Sequence, residues 1–101
     1  MSREEVYRAY IRSADWRRVR DRYWRSGLPK VCQGCGAIEG LHLHHRTYKR
    51  LGAERLTDLV PLCESCHAEV HRGSGKDLWS VTHKVVKRLR RRHGLTGSDV
   101  A

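Results

Sequence analysis

The chain has 101 residues, enough for one small domain with a modest core. Hydrophobic residues make up 39%, Phe is absent, and the formal net charge is +10. A core this thin calls for a staple, and the charge favours nucleic acid over an anionic membrane, because no helix pairs a cationic face with a wide Trp/Phe/Leu face. No apolar run approaches the ~18 residues of a membrane span. The polar start Met1-Ser2-Arg3-Glu4-Glu5 is not an export signal, so the expectation is a cytoplasmic protein. Its four cysteines then stay reduced and serve as metal ligands before disulfides.

Charge divides the chain into three stretches. Residues 1–30 hold 9 Lys/Arg against 4 Asp/Glu, residues 31–73 hold 5 of each, and residues 74–101 hold 7 against 2. A neutral centre with all four cysteines and five of the seven histidines is thus flanked by two basic segments. The expected organisation is a helical flank (1–30), a metal-bearing module (31–73), and a basic amphipathic helix with a tail (74–101), all in one compact domain.

Ser2 and Glu5 form a capping-box pattern, and Val6, Tyr7, Tyr10 and Ile11 recur at helical spacing. Ser13 is placed to cap a second helix with Trp16, Val19, Arg20 and Tyr23 spaced along one face, ended by Gly27 and Pro29. Cys32-Gln33-Gly34-Cys35 is a knuckle that aims two thiolates at one ion, and Gly34 and Gly36 suit its tight turn. Leu41 and Leu43 alternate with His42 and His44, which predicts a short strand. A polar loop follows over 46–57, with Glu54 as a loop or solvent residue and only a lesser candidate ligand. Leu59-Val60-Pro61-Leu62 predicts a second strand leading into Cys63, and Cys63-Glu64-Ser65-Cys66 completes a closed four-thiolate zinc site, structural because no coordination position stays open. A helix from Ser65 to about Arg72 places His67 and His71 on one face, a spacing that grips a metal. Beyond a Gly73-Ser74-Gly75 hinge with Ser74 as N-cap, Leu78, Val81, Val85 and Leu89 predict an amphipathic helix ending near Gly94, and residues 95–101 read as a frayed tail. Both metals leave the centre about neutral, so attraction to DNA is expected from the flanks. Cutting the chain after Gly75 is expected to weaken DNA binding and spare zinc binding.

This order resembles the HNH endonucleases with a ββα-metal active site, in their zinc-stapled form. The resemblance runs over about residues 31–72 and rests on Cys32-Gln33-Gly34-Cys35, Leu41-His42-Leu43-His44-His45, and Asp58-Leu59-Val60-Pro61-Leu62-Cys63-Glu64-Ser65-Cys66-His67 with His71. It implies an α+β, treble-clef-like ββα-metal core with flanking N- and C-terminal helices. It implies cleavage of DNA phosphodiester bonds, with His44 on the metal and His45 as general base. His67 and His71 carry over as further ligands. Histidine suits the base role because it titrates near neutrality, and adjacent strand residues face opposite ways. The family's central Asn, which either binds the metal or fixes the loop by hydrogen bonds, falls at Asp58, and this leaves two ligand sets open. Asp58 as a ligand favours Mg²⁺ or Mn²⁺, whereas His44, His67 and His71 favour Zn²⁺, Ni²⁺ or Mn²⁺. Arg46, Lys49 and Arg50 are candidate phosphate clamps, with Arg46 also a candidate for stabilising the transition state. The expected partner is double-stranded DNA read with weak sequence preference, since no base-reading element stands out. A non-catalytic zinc-stapled DNA-binding module and a phage assembly factor are the alternatives.

Overall fold

The computed structural model describes residues 2–95. Ser2 caps α1 (Arg3–Ile11): its Oγ accepts from the Glu5 N–H, and Glu5 Oε1 accepts from the Ser2 N–H. No residue of α1 is buried. Ser13 Oγ accepts from the Trp16 N–H and starts α2 (Ala14–Arg25), whose Trp16, Val19 and Tyr23 are buried.

Two five-residue strands, β1 (Leu41–His45) and β2 (Leu59–Cys63), pair antiparallel with His44 opposite Val60 and His45 opposite Leu59. A single 3-10 turn, Leu56–Asp58, leads into β2. Pro61 donates nothing to the ladder, but its carbonyl accepts from the Gln33 N–H at 3.0 Å, so the first knuckle covers the outer edge of β2. Cys63 leads directly into α3 (Glu64–Arg72), and α4 (Leu78–Arg92) closes the fold.

Alternation along the strands sorts their side chains into two cores. Val60 and Leu62 join Cys32, Cys66, Val70, Val81, Val85 and Leu89 on one side. Leu59 joins Trp16, Val19 and Tyr23 on the other, with Leu43 and Leu56 packed against them. The sheet therefore lies between helical layers, and four of the five β2 residues are buried. This is the α+β, ββα arrangement expected, with the cysteine cluster beside it.

Three expectations change. The N-cap of α4 is Asp77, whose carboxylate accepts from the Ser80 N–H at 2.8 Å, and not Ser74. The Gly73-Ser74-Gly75 segment is packed against α4 instead of standing free. A Cβ at Gly73 would lie 2.7 Å from Val85 Cγ2, and one at Gly75 would lie 2.7 Å from Val81 Cγ2. These glycines answer close approach, which competes with a hinge reading on the same residues. Consequently α4 is part of the core around Cys32 and Cys66, and a cut after Gly75 removes Val81, Val85 and Leu89 from it. Zinc binding has no reason to survive that cut. Of the expected tail, residues 96–101 lie outside the described residues.

Candidate metal centre and active site

The first knuckle is folded by its own backbone: the Cys32 N–H donates to the Ala37 carbonyl and the Gly36 N–H to the Cys32 carbonyl, both at 2.8 Å. The second knuckle sits at the junction of β2 and α3. One Sγ from each of Cys32, Cys35, Cys63 and Cys66 lies within 4.8 Å of the others. Cys35 Sγ and Cys63 Sγ are 3.7 Å apart. Thiolates arranged tetrahedrally at the usual Zn–S length stand about 3.8 Å apart, so the donor set fits a structural zinc. Gly34 is required by proximity, since a Cβ there would meet Cys66 Sγ at 2.8 Å. Burial pushes the Cys35 and Cys66 thiols up. At Cys63 burial also raises the thiol, but hydrogen bonding with Ser65 and the Cys66 N–H wins and brings it to about 6. A metal cation reverses the burial cost by neutralising the thiolates.

The second cluster faces the same helical layer. His44 is 2% exposed on β1, and His67, half-buried, and His71, exposed, share one face of α3. One ring nitrogen from each of the three lies within 4.8 Å of the others. His67 Nε2 and His71 Nε2 are 3.0 Å apart, and the His44 ring centroid lies 5.1 and 5.4 Å from theirs. Burial, reinforced by the other two imidazoles, lowers His44 to about 3. Burial, with His71 and His42, lowers His67 to about 4. Both rings are therefore neutral near neutrality, the form in which imidazole binds a metal. An all-nitrogen set of three with room for further ligands fits a divalent transition ion.

Two residues join this cluster from outside the expected set. Thr82 on α4, 2% exposed, pairs with His44 Nε2 through Oγ1 at 2.9 Å. His42 reaches His67 through Nδ1 atoms 3.3 Å apart. Its position two residues before His44 on one strand face carries the signal, because residues i and i+2 point the same way.

His45 points to the opposite face. Its ring lies 4.8 Å from Trp16, 5.6 Å from Tyr48 and 5.8 Å from Tyr7, and its side chain is 0% exposed. His45 Nε2 pairs with Glu54 Oε2 at 2.8 Å, while Nδ1 is buried and has no hydrogen-bond partner among the described residues. Glu54 is only 5% exposed, which corrects its reading as a loop or solvent residue. Its Oε1 accepts from Tyr10 Oη at 2.7 Å and from the Gly52 N–H at 3.1 Å. Burial alone would raise the Glu54 carboxyl, but the bonds from His45 and Tyr10 hold it below the usual range. No periodicity marks a residue that turns inward from a loop, so the sequence offers Glu54 only as a lesser candidate ligand and not as the partner of His45.

Asp58 stands apart from the histidine cluster. Its two oxygens are held by the Arg50 guanidinium, Oδ2 by Nε at 2.8 Å and Oδ1 by a terminal nitrogen, and Oδ2 also accepts from the Arg55 N–H. Its carbonyl accepts from the Arg46 N–H at 2.7 Å, which extends the strand pairing by one bond. Arg50 is thus tied to Asp58 within the loop. Arg46 lays its guanidinium 5.6 Å from the Trp79 ring centroid and lines a cavity of about 300 Å³ with Tyr23, Gln33, Leu59 and Trp79. Its Nε is buried with no hydrogen-bond partner among the described residues.

The model of the family described as HNH endonuclease matches residues 32–73. No curated protein and no solved structure matches the chain. The matched stretch holds both clusters, His45, Glu54 and Asp58. Tyr7, Tyr10 and Trp16 around His45, and Thr82 beside His44, come from helices outside it.

Proposed function

We propose that the protein is a metal-dependent endonuclease that hydrolyses DNA phosphodiester bonds, a reading supported by the match of residues 32–73 to the HNH endonuclease family. The observation that carries this reading is the division of β1: His44 converges with His67 and His71 on one face, and His45 stands on the other. His44, His67 and His71 would hold the divalent cation, and Zn²⁺, Ni²⁺ or Mn²⁺ suits three imidazoles better than Mg²⁺ does. Bound there, such an ion would draw negative charge from the scissile phosphate and the leaving oxygen.

His45 is the base in this reading: its free ring nitrogen takes the proton of the attacking water, so that an O–P bond forms as the bond to the leaving oxygen breaks. Asp58 acts through Arg50, fixing the loop that carries Glu54, and is not a ligand. Arg46, held by Trp79 beside the His44 face, is the cation placed to meet a substrate phosphate. Exposed Arg17, Arg22 and Arg25 on α2 and Lys84, Lys87 and Arg91 on α4 supply the backbone attraction expected for double-stranded DNA without strong sequence preference.

One observation favours a second reading, a non-catalytic zinc-stapled DNA-binding module: His45 is closed from solvent under Tyr7, Trp16 and Tyr48. Cleavage of supercoiled plasmid separates the two. The protein is incubated with Mg²⁺, Mn²⁺, Ni²⁺ or Zn²⁺ in turn, beside its His45→Ala and His44→Ala variants. Endonuclease function predicts cleavage with at least one metal and a loss of at least 100-fold in each variant. Absence of cleavage with every metal would remove the endonuclease reading and favour the binding module, and equal cleavage by His45→Ala would remove His45 as base.

A further inference from the structure

We propose that Glu54 is the positioning residue of the active site: it holds His45 in the Nε2–H tautomer and so leaves the lone pair on Nδ1 for the attacking water. The proposal rests on the endonuclease reading for its catalytic consequence, but the tautomer itself follows from the hydrogen bonds.

A carboxylate can only accept. Glu54 Oε1 is already taken by two donors, Tyr10 Oη and the Gly52 N–H. Oε2 faces only His45 Nε2, at 2.8 Å, and the two side chains are 0% and 1% exposed. Water does not compete for a pair so closed, and an anionic acceptor at that distance places the ring proton on Nε2. The other nitrogen is then the basic one. That atom, Nδ1, is the one left without a hydrogen-bond partner among the described residues. One ring nitrogen is committed to an acceptor and the other is kept open, the division of labour by which a carboxylate sets up a general base.

Glu54 is itself fixed from two directions. The Gly52 N–H holds it from its own loop, and Tyr10 holds it from α1, 44 residues away in sequence. Trp16, its ring tilted 32° to that of His45, restricts rotation of the imidazole. The orientation of His45 is thus set by Glu54, Tyr10 and Trp16 together, and two of these lie outside the stretch that matches the family.

The test uses the full chain and two readouts. Ring ¹⁵N shifts of His45, measured by NMR at pH 8, report the tautomer whether or not the protein cleaves DNA. Plasmid cleavage with the supporting metal gives kcat and KM. The wild type is expected to show the Nε2–H form. Glu54→Gln, whose amide oxygen can still accept, is expected to keep that form and lose less than tenfold in kcat. Glu54→Ala is expected to give a mixture of tautomers, with kcat lower by about 10- to 100-fold and KM within about twofold. Should Glu54→Ala fail to fold, the wild-type His45 ring proton decides: a downfield Hε2 resonance, as a short bond to a carboxylate gives, supports the proposal, and an Hε2 resonance without that shift overturns it. An Nδ1–H form in the wild type would overturn the proposal, as would an unchanged tautomer and kcat in Glu54→Ala. A wild type that cleaves no DNA but shows the Nε2–H form, lost in Glu54→Ala, would remove the endonuclease reading and leave the positioning of His45 by Glu54 established.

Discussion

Asp58 stands at the family's Asn position and is engaged there by hydrogen bonds within its own loop. Its carboxylate spans the Arg50 guanidinium and the Arg55 N–H, and Arg50, ahead of the opposing cost of burial, holds it below the usual carboxylate range. A carboxyl whose folded pKa lies below its unfolded value adds stability that is fully present above the unfolded pKa of about 4 and is lost as the pH falls through the lower folded value. Thermal midpoints measured from pH 7 down to pH 3 should therefore fall more steeply in the wild type than in Asp58→Asn, with Asp58→Asn the less stable protein at pH 7. Parallel curves would show that the pair contributes nothing. What the sequence made legible at this scale were residues whose spacing is itself the chemistry: Cys32 with Cys35, Cys63 with Cys66, and His67 with His71. Glu54, Arg50 and Thr82 were not legible, because each finds its partner through a loop or across the sheet, and no local period encodes such a meeting.

The elements were read well where local signals and tertiary packing agree. Ser2 and Ser13 cap their helices because each has an acceptor oxygen beside free N–H groups. The start of α4 was misread because Ser74 stands in a segment whose glycines serve close packing, and Asp77, three residues on, is free to cap. The status of α4 changed with it. Its apolar stripe, Val81, Val85 and Leu89, is not an accessory face but one wall of the core that surrounds Cys32 and Cys66. Leu89 is 1% exposed, so Leu89→Ala should cost about 2–5 kcal/mol in urea denaturation of the zinc-loaded protein. A loss below about 1 kcal/mol would mean that α4 does not support the module.

For the whole molecule, the sheet is covered on both sides, yet neither core is large: eight buried residues on one side and four on the other. Two of the eight are the cysteines Cys32 and Cys66, and burial disfavours the Cys66 thiolate unless a metal is present. Chelation should therefore cost the protein its fold, seen as loss of helical circular dichroism with return on adding zinc. A spectrum unchanged after zinc has been stripped would show that the apolar cores suffice. The fold class was legible because it follows from a few ligands at fixed spacing. The layering of α1 and α2 over His45 was not, since nothing in their helical periodicity says which side of the sheet they choose.

That layering has an unequal strength. α1 buries none of its residues, and it reaches the site through the Tyr7 ring and the Tyr10 hydroxyl. A helix so lightly attached opens at a small fraction of the global unfolding free energy. Its amide protons should exchange with solvent orders of magnitude faster than those of β1. The side of the shelter over His45 that α1 supplies is thus the part that yields first, while the cysteine knuckles and the core around Cys32 and Cys66 stay shut.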